Sequence, residues 1–411
     1  MKKKYLFIII IFIFCFCSVI VLLMLKQNNH GFNDEEYVYD PTDPQCNYSE
    51  HTVLYLDGSG ILHLIETTSG KDMVYCDRPN CTHEGFSHNN ENPSCPAAFS
   101  GLSKSGPVHY NGHLYFIGNM SNEDIFRTQY LYEMDPNGEN RKKVTTLEGV
   151  QNLRYVLYRD KYVIGAYYNR IEINDEGQII NDNKPEAGIF VIDLDNYKVY
   201  MGDKITGEQA NITGIYYEEG AVYYSCIRFG DDVTELMVGD TAENDFESFV
   251  YENMLYEIYR YDIANENTAL VKTFDHISDL QLIDGDAYYV SKEGYFVFDK
   301  ISGETKELAI EIDAGTLRGG GFKKHEDALY YALFDSAGNE VTYYRMENGE
   351  TDELMRVPPE DSFGIVNICG QSVYINYTDD KGRFCLGVLR MDDFNQGRFI
   401  PRELRCYDEE E

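Results

Sequence analysis

A short Tyr-rich strand recurs seven times along this chain, in most copies after a tight acidic or glycine turn. That repetition limits the fold more than any other feature. It appears as Val53-Leu54-Tyr55-Leu56, as His113-Leu114-Tyr115-Phe116-Ile117 after Asn111-Gly112, as Lys161-Tyr162-Val163-Ile164 after Arg159-Asp160, and as Ala221-Val222-Tyr223-Tyr224 after Glu219-Gly220. Ala287-Tyr288-Tyr289-Val290, Ala328-Leu329-Tyr330-Tyr331 and Ser372-Val373-Tyr374-Ile375 complete the set. A following strand that ends in Asp recurs beside it, as in Ile189-Phe190-Val191-Ile192-Asp193 and Tyr295-Phe296-Val297-Phe298-Asp299. Short apolar strands separated by turn residues argue antiparallel β structure. Nothing after Leu25 reads as a long amphipathic helix.

The copies are spaced 42 to 65 residues apart. The shorter gaps suit a four-stranded propeller blade, and the longer ones need insertions. Irregular stretches at Pro79–Ser105 and at Phe229–Asn253 supply two of these. Radial repetition buries both faces of each sheet, which accounts for apolar residues on both sides of these strands. The expectation is an all-β chain: a β-propeller of seven four-stranded blades over residues 51–411, with a Cys/His-containing insertion at about 76–105. The alternative is one or two β-sandwiches built from similar hairpins. Trp is absent, which excludes blade types built on a Trp-Asp signature, and paired kelch glycines do not recur.

The stretch Leu131-Tyr132-Glu133-Met134-Asp135-Pro136-Asn137-Gly138, resuming at Val144-Thr145, resembles the repeat of TolB-like propellers. The chain is similar to membrane-anchored, extracytoplasmic bacterial propellers of uncharacterised function. That resemblance implies a location outside the cytoplasm and implies no reaction. TolB-like blades also precede serine hydrolase domains; the last repeat runs close to Glu411, so no such domain is expected here.

Lys2, Lys3 and Lys4 precede an uncharged run from Tyr5 to Leu25 that Lys26 closes. A helix of that length spans ~31 Å, about one hydrocarbon core. A cleaved signal is the competing reading, but the run is long for one and Leu22–Asn28 offers no small residue to a peptidase. Lipidation at Cys15 or Cys17 wants a small residue before the cysteine, where Phe14 and Phe16 stand. Residues 1–26 are therefore expected to be a cytoplasmic basic tip and signal-anchor, with the N-terminus inside by the positive-inside rule. Residues 27–50 read as a polar stalk.

Beyond the anchor, 31 basic groups face 70 acidic ones, a net charge of −39. Such a body repels nucleic acid and anionic lipid and favours cationic partners. The expected role is a non-catalytic binding or scaffolding module for an extracytoplasmic protein, peptide or glycan. The alternative is a carbohydrate-active hydrolase or lyase with its site at the channel mouth.

Eight cysteines lie outside the anchor. Cys226 reads as a buried apolar residue. Cys369 and Cys385 fall on strands separated by a third, too far apart for a bridge. Cys46 and Cys406 bracket the repeats, and a ring brings its ends together, so a clasp between them is one candidate pairing. Cys76, Cys81, His83 and Cys95 form the sharpest local pattern, Cys-x4-Cys-x-His-x11-Cys. Three thiolates and an imidazole can close a tetrahedral structural zinc site; one disulfide with a spare thiol is the other reading. His83-Glu84-Gly85-Phe86-Ser87-His88 misses the spacing of a zinc-peptidase helix. Asp193 and Asp195 read as turn acids rather than calcium ligands, and the strand tyrosines as packing rather than sugar platforms.

Overall fold

A computed structural model describes residues 38–40, 43–57, 59–85, 94–99, 108–118, 128–169, 185–207, 210–229, 251–310, 316–317, 321–335 and 337–407. They form seven antiparallel sheets, each drawn from one continuous stretch of chain, set as blades around a ring. The strands of a blade are lettered A to D from the channel outward. Strand B of successive blades is Thr52–Leu56, His113–Gly118, Tyr162–Asn169, Ala221–Phe229, Asp286–Ser291, Ala328–Phe334 and Ser372–Thr378. All seven Tyr-rich copies are thus strand B; in blade 1 an extra innermost strand, Val38–Asp40, precedes strand A, Asp43–Tyr48.

Local chemistry accounts for the hairpins. In blades 2 to 7 the A–B turn has two residues, and its first residue sits in left-handed backbone at Asn111, Asp160, Glu219, Asp284, Glu326 and Gly370. Such turns match strand twist and favour Asn, Asp and Gly.

Each blade buries both faces. On the C strand of blade 3 (Glu186–Asp193), Phe190 and Ile192 pack toward blade 2, while Ile189 and Val191 pack toward blade 4. Two-residue periodicity alone places them so. Similar clusters join blades 4 and 5, 5 and 6, 6 and 7, and 7 and 1.

Tyrosine is abundant for a reason the repeat did not reveal. Eight of the twelve largest fully buried side chains are Tyr, so these rings are core. Two of them, Tyr343 and Tyr374, and the less deeply buried Tyr75, Tyr155 and Tyr256 send their hydroxyls across the seams onto backbone oxygens of the next blade. Tyr75 donates to Pro136 O (2.7 Å), Tyr155 to Thr213 O (2.9 Å), Tyr256 to Ser278 O (3.1 Å), Tyr343 to Phe363 O (2.6 Å) and Tyr374 to Ser49 O (2.6 Å). Two of the acceptors, Thr213 and Ser278, lie where the A strands of blades 4 and 5 lose register with strand B. A bulge frees a carbonyl from the ladder, and the neighbouring phenol satisfies it. Phe lacks this donor.

Two expectations change. The segment read as stalk contributes Val38–Asp40 and Asp43–Tyr48 to blade 1, so the propeller begins before residue 51. Cys46 and Tyr48 are buried against blade 7, which a solvated stalk does not allow. The Cys46–Cys406 clasp does not form: Cys406 is bonded to Cys385, its direct partner across Phe384–Arg390 and Arg402–Tyr407 of blade 7, with Cα atoms 4.0 Å apart. The third strand of blade 7 ends at Arg390, where a short helix, Met391–Asn395, takes over. The anchor expected at 1–26 lies outside the described residues; among those described, no helix is long and apolar enough to cross a membrane.

Candidate metal centre

The four predicted ligands converge. Cys76 follows directly on the last strand of blade 1, Lys71–Val74. Tyr75 N–H bonds to Leu62 O at 2.8 Å, which fixes where the chain leaves the sheet. Left-handed backbone at Asn80 and His83 then turns the chain back. Gly85 lies so close to the blade 1 turn that a Cβ there would meet Ser59 O at 2.2 Å. The chain returns at Cys95, and Ala97 O and Phe99 N–H bond to Leu62 N–H (2.8 Å) and Gly60 O (2.7 Å) on the edge of blade 1. As a result Cys76, Cys81, His83 and Cys95 each place a ligand atom within 4.8 Å of all the others.

Cys95 Sγ stands 3.7 Å from His83 Nδ1. A thiolate and an imidazole bound tetrahedrally to one zinc ion stand ~3.6 Å apart, and two thiolates ~3.8 Å. Burial pushes the Cys95 thiol up to about 12, whereas a hydrogen bond from the His83 N–H holds Cys81 below the usual thiol range. The three thiols are not bonded to one another. His83 and Glu84 lie in coil, without the helix that a zinc peptidase needs; His88 lies outside the described residues.

Blade 2 grips this segment from the other side. Arg141 donates to Pro96 O and Ala98 O, both at 2.7 Å, and its guanidinium lies 4.6 Å over the Phe99 ring. Burial pulls Arg141 down to about 10. Arg78 reaches Glu139 at 2.8 Å and Ser94 O at 2.7 Å.

The other acids singled out are occupied. Asp193 is buried, and its carboxylate accepts from its own turn and pairs with Lys161 at 2.8 Å, which leaves no calcium ladder. Glu133 pairs with Lys142 (2.6 Å) and accepts from Tyr115 and Tyr197. Arg228 engages Glu257 through both Nε and Nη2 at 3.0 Å. A cavity of about 340 Å³ beside Tyr162 and Tyr200 is crossed by a Lys198–Glu266 pair at 2.7 Å.

One ionic group had no sequence signal, because its members come from two blades. His63 lies between Asp57 (3.3 Å) and Asp72 (2.9 Å), Tyr55 donates to Asp72 (2.5 Å), and Arg405 of blade 7 covers the Tyr55 ring at 4.3 Å. Burial alone would lower His63, but the two carboxylates overcome it and raise it to about 9.

No family model and no curated protein matches the chain. Among solved structures, a puromycin-hydrolyzing peptidase of Mycobacterium tuberculosis aligns with a TM-score of 0.53 at 13% identity, over 91% of this chain and 56% of that one. The Pyrococcus horikoshii acylaminoacyl peptidase aligns at 0.49 and 13% identity, over 90% and 54%. The β-propeller domain of the Trilobed protease from Pyrococcus furiosus, described with an open velcro topology, aligns at 0.48 and 10% identity, over 92% and 100%. The chain spans little over half the length of the two peptidases. At such identities the likeness is one of fold.

Proposed function

We propose that this protein is a non-catalytic binding or scaffolding propeller, tethered outside the cytoplasm through residues 1–26, with its ligand surface at one end of the ring. The observation that supports this is the unequal length of the connections. In an antiparallel blade, A–B and C–D turns fall at one end, and B–C and D–A connections at the other. The A–B turns of blades 2 to 7 are all two residues long. The long connections at 75–107, 119–128, 170–185 and 230–253 are all of the B–C or D–A kind. At the tight end the longest is 391–401, which carries the short helix. Long loops on a rigid scaffold are where binding residues concentrate.

Val38 pairs with Tyr48, beside the blade 1 turn, so the chain enters the ring at the tight end. A hydrolase or lyase would need carboxylates converging on an open cavity; buried Glu133, Asp193 and Glu257 are instead held by Lys142, Lys161 and Arg228, which favours binding. The net charge of −39 beyond the anchor favours a cationic partner, with affinity that falls as salt rises.

The test uses a panel of peptides of graded positive charge and a panel of cell-wall glycans. The full chain is compared with a variant whose residues 230–253 are replaced by a two-residue turn like the one between Ser291 and Gly294. Salt-sensitive binding that the shortened variant loses while keeping its unfolding midpoint is the expected result. Turnover of any panel member, or undiminished binding by the shortened chain, overturns the reading.

A further inference from the structure

We infer that Cys76, Cys81, His83 and Cys95 hold one structural zinc ion that fastens the connection between blades 1 and 2 to the rim of the ring. The donor set is three soft thiolates and one imidazole, the chemistry of a closed tetrahedral site with no position left for a reacting water. Their atoms lie within 4.8 Å of one another, and the Cys95–His83 separation of 3.7 Å is within about 0.1 Å of that for two ligands of one ion.

The energetics of the segment point the same way. No residue from Cys76 to Gly85 is buried, yet this stretch holds a defined path with two left-handed residues. Ordering a residue costs roughly 1–2 kcal/mol, and apolar burial, the usual offset, is missing here. Metal binding supplies folding free energy where a core cannot. A disulfide would be a weaker substitute, because it leaves one of the three thiols and His83 without a role. The chain does carry a disulfide, but where strand register sets two cysteines directly opposite. In the cluster no ladder dictates a pair, and four donors surround one point.

Binding is not a redox step. Three S–H bonds give up protons to solvent as three Zn–S bonds form, and neutral His83 supplies the fourth bond. The assembled site carries a net charge of −1. The Arg78 guanidinium, held by Glu139 and Ser94 O, stands beside it as a cation.

The full chain, purified without added metal or chelator, is expected to contain one zinc per molecule by elemental analysis. Cys76, Cys81 and Cys95 should resist alkylation until a chelator is added, and cobalt exchange should give tetrahedral visible bands with thiolate charge transfer. Cys81→Ser and His83→Asn, each at a position that is not buried, should weaken zinc binding at least tenfold, while Cys226→Ser keeps one zinc. If a variant fails to fold, chelation of the wild-type chain gives the same answer: proteolysis should become concentrated between Tyr75 and Phe99. A mapped disulfide among Cys76, Cys81 and Cys95 in metal-free folded protein overturns the inference. So does full zinc retention in the Cys81→Ser/His83→Asn double variant.

Discussion

Blade 1 is flanked by two unlike seams. Toward blade 7 it closes on an apolar core in which Cys46, Tyr48, Val53 and Tyr55 pack with Val366, Cys369, Tyr374 and Leu386. Tyr48 and Tyr374 lie 4.8 Å apart between ring centres, and Tyr374 and Ser372 donate to the backbone of Ser49 and Glu50. Among the described residues no strand is shared across this join, and side chains close the ring. Toward blade 2 the irregular segment 95–99 intervenes, itself buried at Cys95, Ala97, Ala98 and Phe99. Phe99 meets Phe116 edge-on at 4.7 Å, and Arg141 reaches over the seam. The two seams show that a propeller can close by burial where two sheet faces meet. Where an irregular segment intervenes, the Arg141 bonds to its carbonyls, and in our reading a metal ion, add to that burial.

The sharpest way to break the contrast is at Tyr374. Replacing it with Ala empties the closing seam and should cost about 3–5 kcal/mol in urea unfolding. Tyr374→Phe removes only the bond to Ser49 O and should cost about 1 kcal/mol. Equal losses would show that the hydroxyl, not the ring, closes the propeller. Next comes the staple behind that seam. The Cys385→Ser/Cys406→Ser variant releases a loop of 21 residues and should lose about 3 kcal/mol. The wild-type chain under reductant should then unfold at the midpoint of the variant.

At the seam with blade 2, Arg141→Met keeps much of the volume but strips Pro96 O and Ala98 O of their donor. It should cost about 2 kcal/mol and speed amide exchange between Cys95 and Phe99, leaving exchange in blade 7 unchanged. The smallest effect is in pH. His63 is held charged by Asp57 and Asp72, with its folded value near 9 against an ordinary 6.5. Its contribution is therefore complete below about pH 6.5 and fades as pH rises through 9. Unfolding midpoints measured between pH 6 and 10 should decline over that window in the wild type and less so in His63→Gln.

The blade count and every second strand were legible because alternation and two-residue turns are written within ten residues of each other. The candidate metal ligands were legible for the same reason, since all four fall within 20 residues of chain. The clasp from Cys46 to Cys406 failed on register. Both cysteines do lie near the closing seam, but Cys406 stands directly opposite Cys385, and no spacing rule reveals a cross-strand partner. The start of the propeller was misplaced because Pro41, Pro44 and the polar residues around them look solvated, while burial against blade 7 depends on residues more than 300 positions away.

From the chain alone come the class, the number of repeats and the Cys-x4-Cys-x-His-x11-Cys pattern, because each rests on local sequence. Only the folded ring settles which faces meet, which carbonyls the tyrosine hydroxyls satisfy and which two cysteines bond. Those outcomes depend on strand register and on groups brought together from distant blades, and the free energy that fixes them exists only once the sheets have packed.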